Sequence, residues 1–258
     1  MSIATLGDSL IHYEVLGRGE PIVFIHGWLG SWRYWWPSMQ SLSSRHRTFA
    51  FDLWGFGDSS KATDKYSFDA YVDMLSQFVD KLGIIQPVTL VGHSLGAAVA
   101  LRYAQREPER VRRIAAVALP VQGNTINDRL TNSDSATILS RTLGVSYPEL
   151  DMEIRKTDTA AMNNLARELL NYDFGDEIMN CPRPLLVVFG DQDTLIKQPA
   201  FLPEPTNSLA YIALDSCSHF PMLEQAVKFN RLVLDFTTNA DGDLQKIAPK
   251  EHWQRRTR

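Results

Sequence analysis

The stretch that decides the fold is Val88-Thr89-Leu90-Val91-Gly92-His93-Ser94-Leu95-Gly96-Ala97-Ala98-Val99-Ala100-Leu101. Pro87 to Val91 is a short apolar run, as a strand buried on both faces should be, and Leu95 to Arg106 carries the spacing of a helix. Only a few residues remain to turn the chain between them. A serine on so sharp a turn projects its hydroxyl above the sheet, and glycines on either side remove side chains that would crowd it. The helix N-terminus favours negative charge developing at that point. G-x-S-x-G alone is weak evidence, since at ~7% background for Gly and Ser it arises by chance in about one chain in ten of this length. The strand before it and the helix after it carry the weight. The plainer reading of Ser94 is a helix cap.

Outward from this unit, similar apolar runs recur at Pro21 to Ile25, Arg47 to Leu53, Ile114 to Leu119, Pro184 to Phe189 and Leu209 to Leu214, and Ser9 to Val15 alternates as an early strand. Between them lie amphipathic segments. Tyr66 to Leu82 sets Phe68, Tyr71, Val72, Leu75, Phe78, Val79 and Leu82 on one face, and Met222 to Phe236 reads as a further helix. This alternation predicts an α/β fold, a mainly parallel central sheet with helices on both faces. The rhythm breaks from Val121 to Asn180, which has no strong strand but holds helix-forming pieces such as Thr159 to Leu170. About sixty residues is too long for a structureless loop in a compact domain, so a helical cap packed over the sheet is expected. The organisation is then a core of residues 1–120 and 181–240, a cap insertion at 121–180 and a polar tail at 241–258, loosely attached from Asn239 onward.

A chain of 258 residues, 44% hydrophobic, can bury a sizeable core. Its net charge of −4 and dispersed Lys and Arg give no footprint for nucleic acid, and the basic end Gln254 to Arg258 reads as solvated. Cys181 and Cys217 form neither a disulfide framework nor a metal-ligand spacing, so no metal or cofactor is expected. The N-terminus shows no basic region followed by an apolar run, and no stretch approaches ~18 apolar residues. A cytoplasmic monomer or homodimer without a membrane partner is the expectation.

A hydroxyl needs a base to attack at neutral pH. Of His12, His26, His46, His93, His219 and His252, His219 alone follows the last strand and precedes the last helix, whereas His252 lies in the polar tail. The base needs a carboxylate to fix its tautomer. Strand Pro184 to Phe189 runs into Gly190-Asp191-Gln192-Asp193, and either aspartate could serve. Asp193 is preferred, because residues directly after the strand are still turning away from the sheet. Asp215 is too close to His219 in sequence. The order Ser, Asp, His is the one a serine elbow of this kind produces. The oxyanion needs donors, for which the backbone N–H of Leu95 and that of Trp28, in His26-Gly27-Trp28-Leu29-Gly30, are placed. His26 reads as holding that loop, Asp52 as a strand-end turn residue and Glu224 as a first-turn helix acid.

Four of the six tryptophans fall within Trp28 to Trp36, a run that also holds Tyr34. Core packing accounts for such a run. The sharper reading places Trp28 and Trp32, with His93 and Phe220, around an apolar pocket for a short acyl or aryl ester.

His26-Gly27-Trp28, Asp52-Leu53-Trp54-Gly55-Phe56-Gly57-Asp58-Ser59, Gly92 to Gly96, Gly190 to Asp193 and Ser218-His219-Phe220-Pro221 together resemble the α/β-hydrolase superfamily, over about residues 8 to 238. Small carboxylesterases bearing His-Gly-Trp are the nearest pattern. The resemblance implies that Val121 to Asn180 is a cap bordering the acyl pocket, that Trp28 and Leu95 form the oxyanion hole and that Asp193 is the acid. Ser94 departs from the haloalkane dehalogenases and epoxide hydrolases of this fold, which place aspartate there. The HGGG loop of one lipase group and the HGGPG-like loop of proline iminopeptidases are absent, and Leu29 stands where haloperoxidases of this fold carry proline. The expectation is a serine esterase that hydrolyses small-molecule esters through an acyl-enzyme. Lactone, thioester or carbon–carbon hydrolysis, perhydrolysis and a ligand receptor on the same fold are the alternatives.

Overall fold

The apolar runs become the centre of one sheet of eight strands: β1 (Ser2–Leu6), β2 (Ser9–Gly17), β3 (Glu20–Ile25), β4 (His46–Phe51), β5 (Val88–His93), β6 (Val111–Val117), β7 (Leu185–Gly190) and β8 (Leu209–Leu214). The structure, a computed structural model, describes residues 2–28, 30–127, 148–239 and 242–250. The strands lie in the order β1-β2-β4-β3-β5-β6-β7-β8. β1 and β2 pair antiparallel, as do β2 and β4, and every other neighbouring pair is parallel. β5 sits in the middle and is buried at every position, as a parallel strand covered on both faces must be.

Alternation along each strand sorts side chains between two cores. Val23, Ile25, Phe49, Phe51, Leu90 and Ile114 face one side, where helices α2 (Phe68–Lys81) and α3 (Leu95–Arg106) pack. Ile22, Phe24, Ala50, Val91, Ala115 and Val188 face the other, against Trp35 and Met39 at α1 (Trp36–Leu42) and Phe229, Val233 and Phe236. α2 begins at Ser67, whose Oγ accepts from Ala70 N at 3.2 Å, and it buries the face read from its periodicity.

Three features differ from the sequence reading. β1 was not foreseen; only its Ala4 and Leu6 are buried, too short an alternation to stand out. The helix expected from Met222 to Phe236 is two, α7 (Pro221–Glu224) and α8 (Ala226–Thr238), broken at Gln225. The tail is docked as far as it is described: Leu244 is fully buried, its N–H donates to Asn207 O at 2.8 Å, and Lys250 pairs with Asp235 at 2.7 Å. Residues 251–258, with His252 and the basic end, lie outside the described residues.

Between β6 and β7 the described residues form three helices, α4 (Pro148–Ile154), α5 (Thr159–Leu169) and α6 (Gly175–Met179). The part of the predicted insertion at 128–147 lies outside the described residues. α5 turns Ala161, Met162, Leu165, Ala166 and Leu169 into the first core. Polar ties fasten this region to the sheet side: Tyr66 Oη donates to Asp158 at 2.9 Å, Phe68 N donates to Glu168 at 2.9 Å, and Arg33 Nε pairs with buried Glu153 at 2.9 Å. Among the described residues no helix is long and apolar enough to cross a membrane.

The turn after β5 depends on close approach. A Cβ on Gly92 would lie 2.6 Å from Ala97 Cα, and one on Gly96 2.6 Å from His26 O, both in backbone that cannot give way. Gly96→Ala is therefore expected to destabilise by more than about 2 kcal/mol in urea denaturation. Gly83→Ala, at positive φ but in open space, should lose about 1 kcal/mol. Equal losses would contradict the packing account.

Candidate active site

Ser94 follows β5 directly and has φ 52° and ψ −114°. A residue with a β-carbon pays about 1–2 kcal/mol for left-handed φ, so the surroundings must hold it there. Its N–H donates to Val117 O at 2.8 Å and its carbonyl accepts from Ala97 N at 3.0 Å. The capping role is not adopted: no side-chain cap bond forms at the start of α3, and the buried hydroxyl has no partner among the described residues. The other non-glycine residues at positive φ among the described residues are Ala118, just after β6, and Ser216, after β8. All three sit where strands end on one rim of the sheet, and such strain collects at functional sites.

His219 reaches that rim because Gly190 lets two loops touch; a Cβ there would lie 2.8 Å from Cys217 C. His219 Nδ1 lies 2.8 Å from Asp193 Oδ2, and both side chains are buried. Asp193 Oδ1 accepts from Leu195 N at 2.8 Å and Ile196 N at 3.0 Å. Burial pushes the Asp193 carboxyl up, but the charge and hydrogen bond of His219 and the amides of Ile196 and Leu195 outweigh it and leave it below its ordinary value. A carboxylate only accepts, so Nδ1 carries a proton on the Asp193 side, and Nε2 is the ring nitrogen left for other partners.

It is Asp193, not Asp191, whose carboxylate meets the imidazole. Asp191 Oδ1 accepts from Cys217 N at 3.0 Å and braces the loop instead. Glu224 takes Ser218 N at 2.6 Å on one oxygen and Phe220 N at 3.0 Å on the other, holding the chain on both sides of His219. That use of its carboxylate accompanies the helix break at Gln225.

The loop after β3 is fixed in the same way. His26 Nε2 accepts from Leu53 N at 2.9 Å, so its Nδ1–H donates to Gly27 O at 2.8 Å. Burial lowers the His26 pKa from its ordinary value and keeps the ring neutral. Gly27 lies against the elbow, where a Cβ would come 2.9 Å from Ser94 Cβ. Trp28, the next residue, is buried in the same core as Leu95.

Trp32, His93 and Phe220, expected around the pocket with Trp28, each pack among aromatic rings. Trp32 packs on Trp36 and His12 under Arg33. Phe220 lies in the second core against Tyr34, His93 and His219. His93 has no exposed surface and both ring nitrogens are engaged, with Tyr34 Oη at 3.0 Å and His219 O at 2.8 Å. Phe220 is part of the second core, and Trp32 is half-buried against it. Tyr34, which the sequence reading counted only among the aromatics, joins them through Gly27 N at 2.6 Å. No local signal marks it, since its partner His93 is 59 positions away.

Asp52 is a structural acid: fully buried, it accepts from Trp32 N at 2.8 Å and Asp58 N at 2.9 Å and sits 3.2 Å from His12 Nδ1. His12, Asp52 and Asp58 bring ligand atoms within 4.8 Å of one another. Asp58 is already paired with Arg33 at 3.2 Å and Lys156 at 2.8 Å.

Comparison with known proteins agrees with this fold. The family described as alpha/beta hydrolase fold matches residues 20–150. The chain is 27% identical over 254 residues to the dihydrolipoyllysine-residue acetyltransferase component of the acetoin cleaving system of Pseudomonas putida, covering 90% of this chain and 68% of that protein. It is 27% identical over 265 residues to the 2-hydroxymuconate semialdehyde hydrolase of Pseudomonas sp. strain CF600, covering 88% of this chain and 89% of that one. The crystal structure of the enol-lactonase from Burkholderia xenovorans LB400 superposes with a TM-score of 0.78 at 20% identity, over 92% of this chain and 100% of that one. At that identity the likeness is one of fold.

Burial lowers the proton affinity of His26 and His46, and that of His93 well below the ordinary 6.5. The unfolded chain takes up protons near that value which the folded chain refuses. The stability these groups contribute is thus complete above pH 6.5 and is lost as pH falls toward their folded values. Melting temperature is expected to decline steadily between about pH 6.5 and pH 5. A flat or rising profile would contradict neutral burial of these rings.

Proposed function

The chain belongs to the α/β-hydrolase family, and on that footing we propose that it is a serine hydrolase of small apolar or aryl carboxylic esters. The observation that carries this reading is the Asp193–His219 pair, with its second carboxylate oxygen clamped by two amides, whose imidazole packs on His93, the residue just before a strained and otherwise unemployed Ser94.

In the proposed reaction His219 Nε2 takes the Ser94 proton as Oγ attacks the ester carbonyl. The N–H groups of Trp28 and Leu95 receive the oxyanion. The geometry of Gly27 supports the Trp28 donor. Its carbonyl is bound by His26, and in a trans peptide the N–H of the next residue points the opposite way. His219 then returns the proton to the leaving alcohol, and water repeats the sequence on the acyl-enzyme. Asp193, ionised, holds the tautomer and stabilises the imidazolium.

A second reading is hydrolysis of a lactone or of a carbon–carbon bond, and the likeness to an enol-lactonase and to a 2-hydroxymuconate semialdehyde hydrolase favours it. Steady-state rates on p-nitrophenyl esters of increasing chain length, set beside lactones, thioesters and a ring-cleavage keto acid, separate the two. The ester reading expects kcat/KM at least about tenfold higher on an ester of short acyl chain, a difference of about 1.4 kcal/mol. A lactone or keto acid turned over faster than every ester would overturn it. Ser94→Ala should lower turnover by at least about 10⁴-fold, and Asp193→Asn by a comparable factor. Near-full activity in Ser94→Ala would end the acyl-enzyme mechanism. A single burst without sustained turnover would point to a receptor.

A further inference from the structure

We propose that Tyr34 is a positioning residue of this site, whose phenol sets the tautomer of His93 and so joins the loop after β3, the serine elbow and the histidine loop into one hydrogen-bonded relay. The proposal rests on the Ser94–His219 reading above.

Each proton in the relay is assigned by elimination. Tyr34 Oη is 2.6 Å from Gly27 N. A backbone N–H only donates, so the phenol oxygen accepts there. The phenol has one proton, and burial keeps it by pushing the Tyr34 pKa well up. Its other partner is His93 Nδ1 at 3.0 Å, which must therefore receive it. His93 Nδ1 is bare of hydrogen, and burial, with the nearby His219, holds the ring neutral. The ring proton then sits on Nε2, 2.8 Å from His219 O, which only accepts. The chain runs from Gly27 N–H to the Tyr34 oxygen, from the Tyr34 O–H to His93 Nδ1, and from His93 Nε2–H to His219 O.

Every member is buried, so an unmade bond there has no water to replace it. Gly30 makes room for the ring, since a Cβ there would lie 3.0 Å from Tyr34 Cζ. Gly27 is held on both sides, its N–H by Tyr34 and its carbonyl by His26. The peptide that presents Trp28 N–H is held through its own carbonyl, and the peptide before it through the Tyr34 phenol. At the far end the relay holds the backbone of His219, while Asp193 holds its ring. A phenylalanine would pack equally well between Trp35, His93 and Phe220. The hydroxyl is what distinguishes positioning from packing.

Tyr34→Phe isolates that hydroxyl. Per active site, counted by titration with a fluorophosphonate, kcat on the best ester is expected to fall about ten- to a hundredfold while KM stays within about threefold. Affinity for an arylboronic acid, whose tetrahedral adduct occupies the oxyanion position, should fall in step with kcat. Nitrogen NMR of histidine-labelled protein should show His93 protonated on Nε2 in the wild type, with its Nδ1 resonance displaced in Tyr34→Phe. His93→Gln, whose amide can both accept and donate, should retain more kcat than His93→Leu, and this pair serves if Tyr34→Phe does not fold. Wild-type kcat and boronate affinity in Tyr34→Phe, with only a lower melting temperature, would reduce Tyr34 to packing. A proton on His93 Nδ1 would overturn the relay. The NMR result does not depend on substrate, so it stands apart from Ser94→Ala, whose retained activity would overturn the hydrolase reading itself.

Discussion

Left-handed backbone at Ser94, a residue with a β-carbon, is the constraint on which the rest of this structure depends. It is unfavourable locally and is held by three things. Gly92 and Gly96 let the helix fold back onto the strand without overlap. Val117 on the next strand takes the serine N–H. The central position of β5, buried on both faces, prevents the turn from relaxing. Substitution of either glycine would push α3 away from the backbone of β3 and separate the elbow from Gly27. The parallel sheet is in this sense the device that makes the strained turn affordable, and the rim where its strands end is where the chemistry collects.

Around the elbow, position is set mainly by side-chain hydrogen bonds to backbone. His26 grips Gly27 and Leu53, Asp191 grips Cys217, and Glu224 grips Ser218 and Phe220. Each is a titratable side chain serving as a fixed donor or acceptor for a loop. Asp193 and His219 are supported by these loops, which keeps the pair oriented without long side chains. The ion pairs between Arg33, Glu153, Lys156 and Asp58 act further out, where they tie α4 to the turn after β3.

Much of the fold was legible because its cues are local. Pro21 to Ile25, Pro184 to Phe189 and Leu209 to Leu214 are apolar runs that only a covered parallel strand needs, and Tyr66 to Leu82 shows its buried face directly. The strained turn at Ser94 and the Asp193–His219 contact were legible for a related reason: each lies in a turn marked by glycine, aspartate or proline. The misses are non-local. Ser2 to Leu6 forms an edge strand with two buried positions, too few to register as a pattern. Leu244 and Ile247 fill the second core from a stretch whose composition is polar. Tyr34 could not be found at all, since its meaning lies in a histidine 59 positions away.

The most direct test of the central claim is covalent capture. Treatment with a fluorophosphonate, followed by peptide mass analysis, is expected to give one adduct per chain, on the peptide carrying Ser94. Its formation should slow sharply when Asp193 is replaced by asparagine. An adduct on another residue, or labelling at Ser94 that ignores Asp193, would contradict a serine activated through His219.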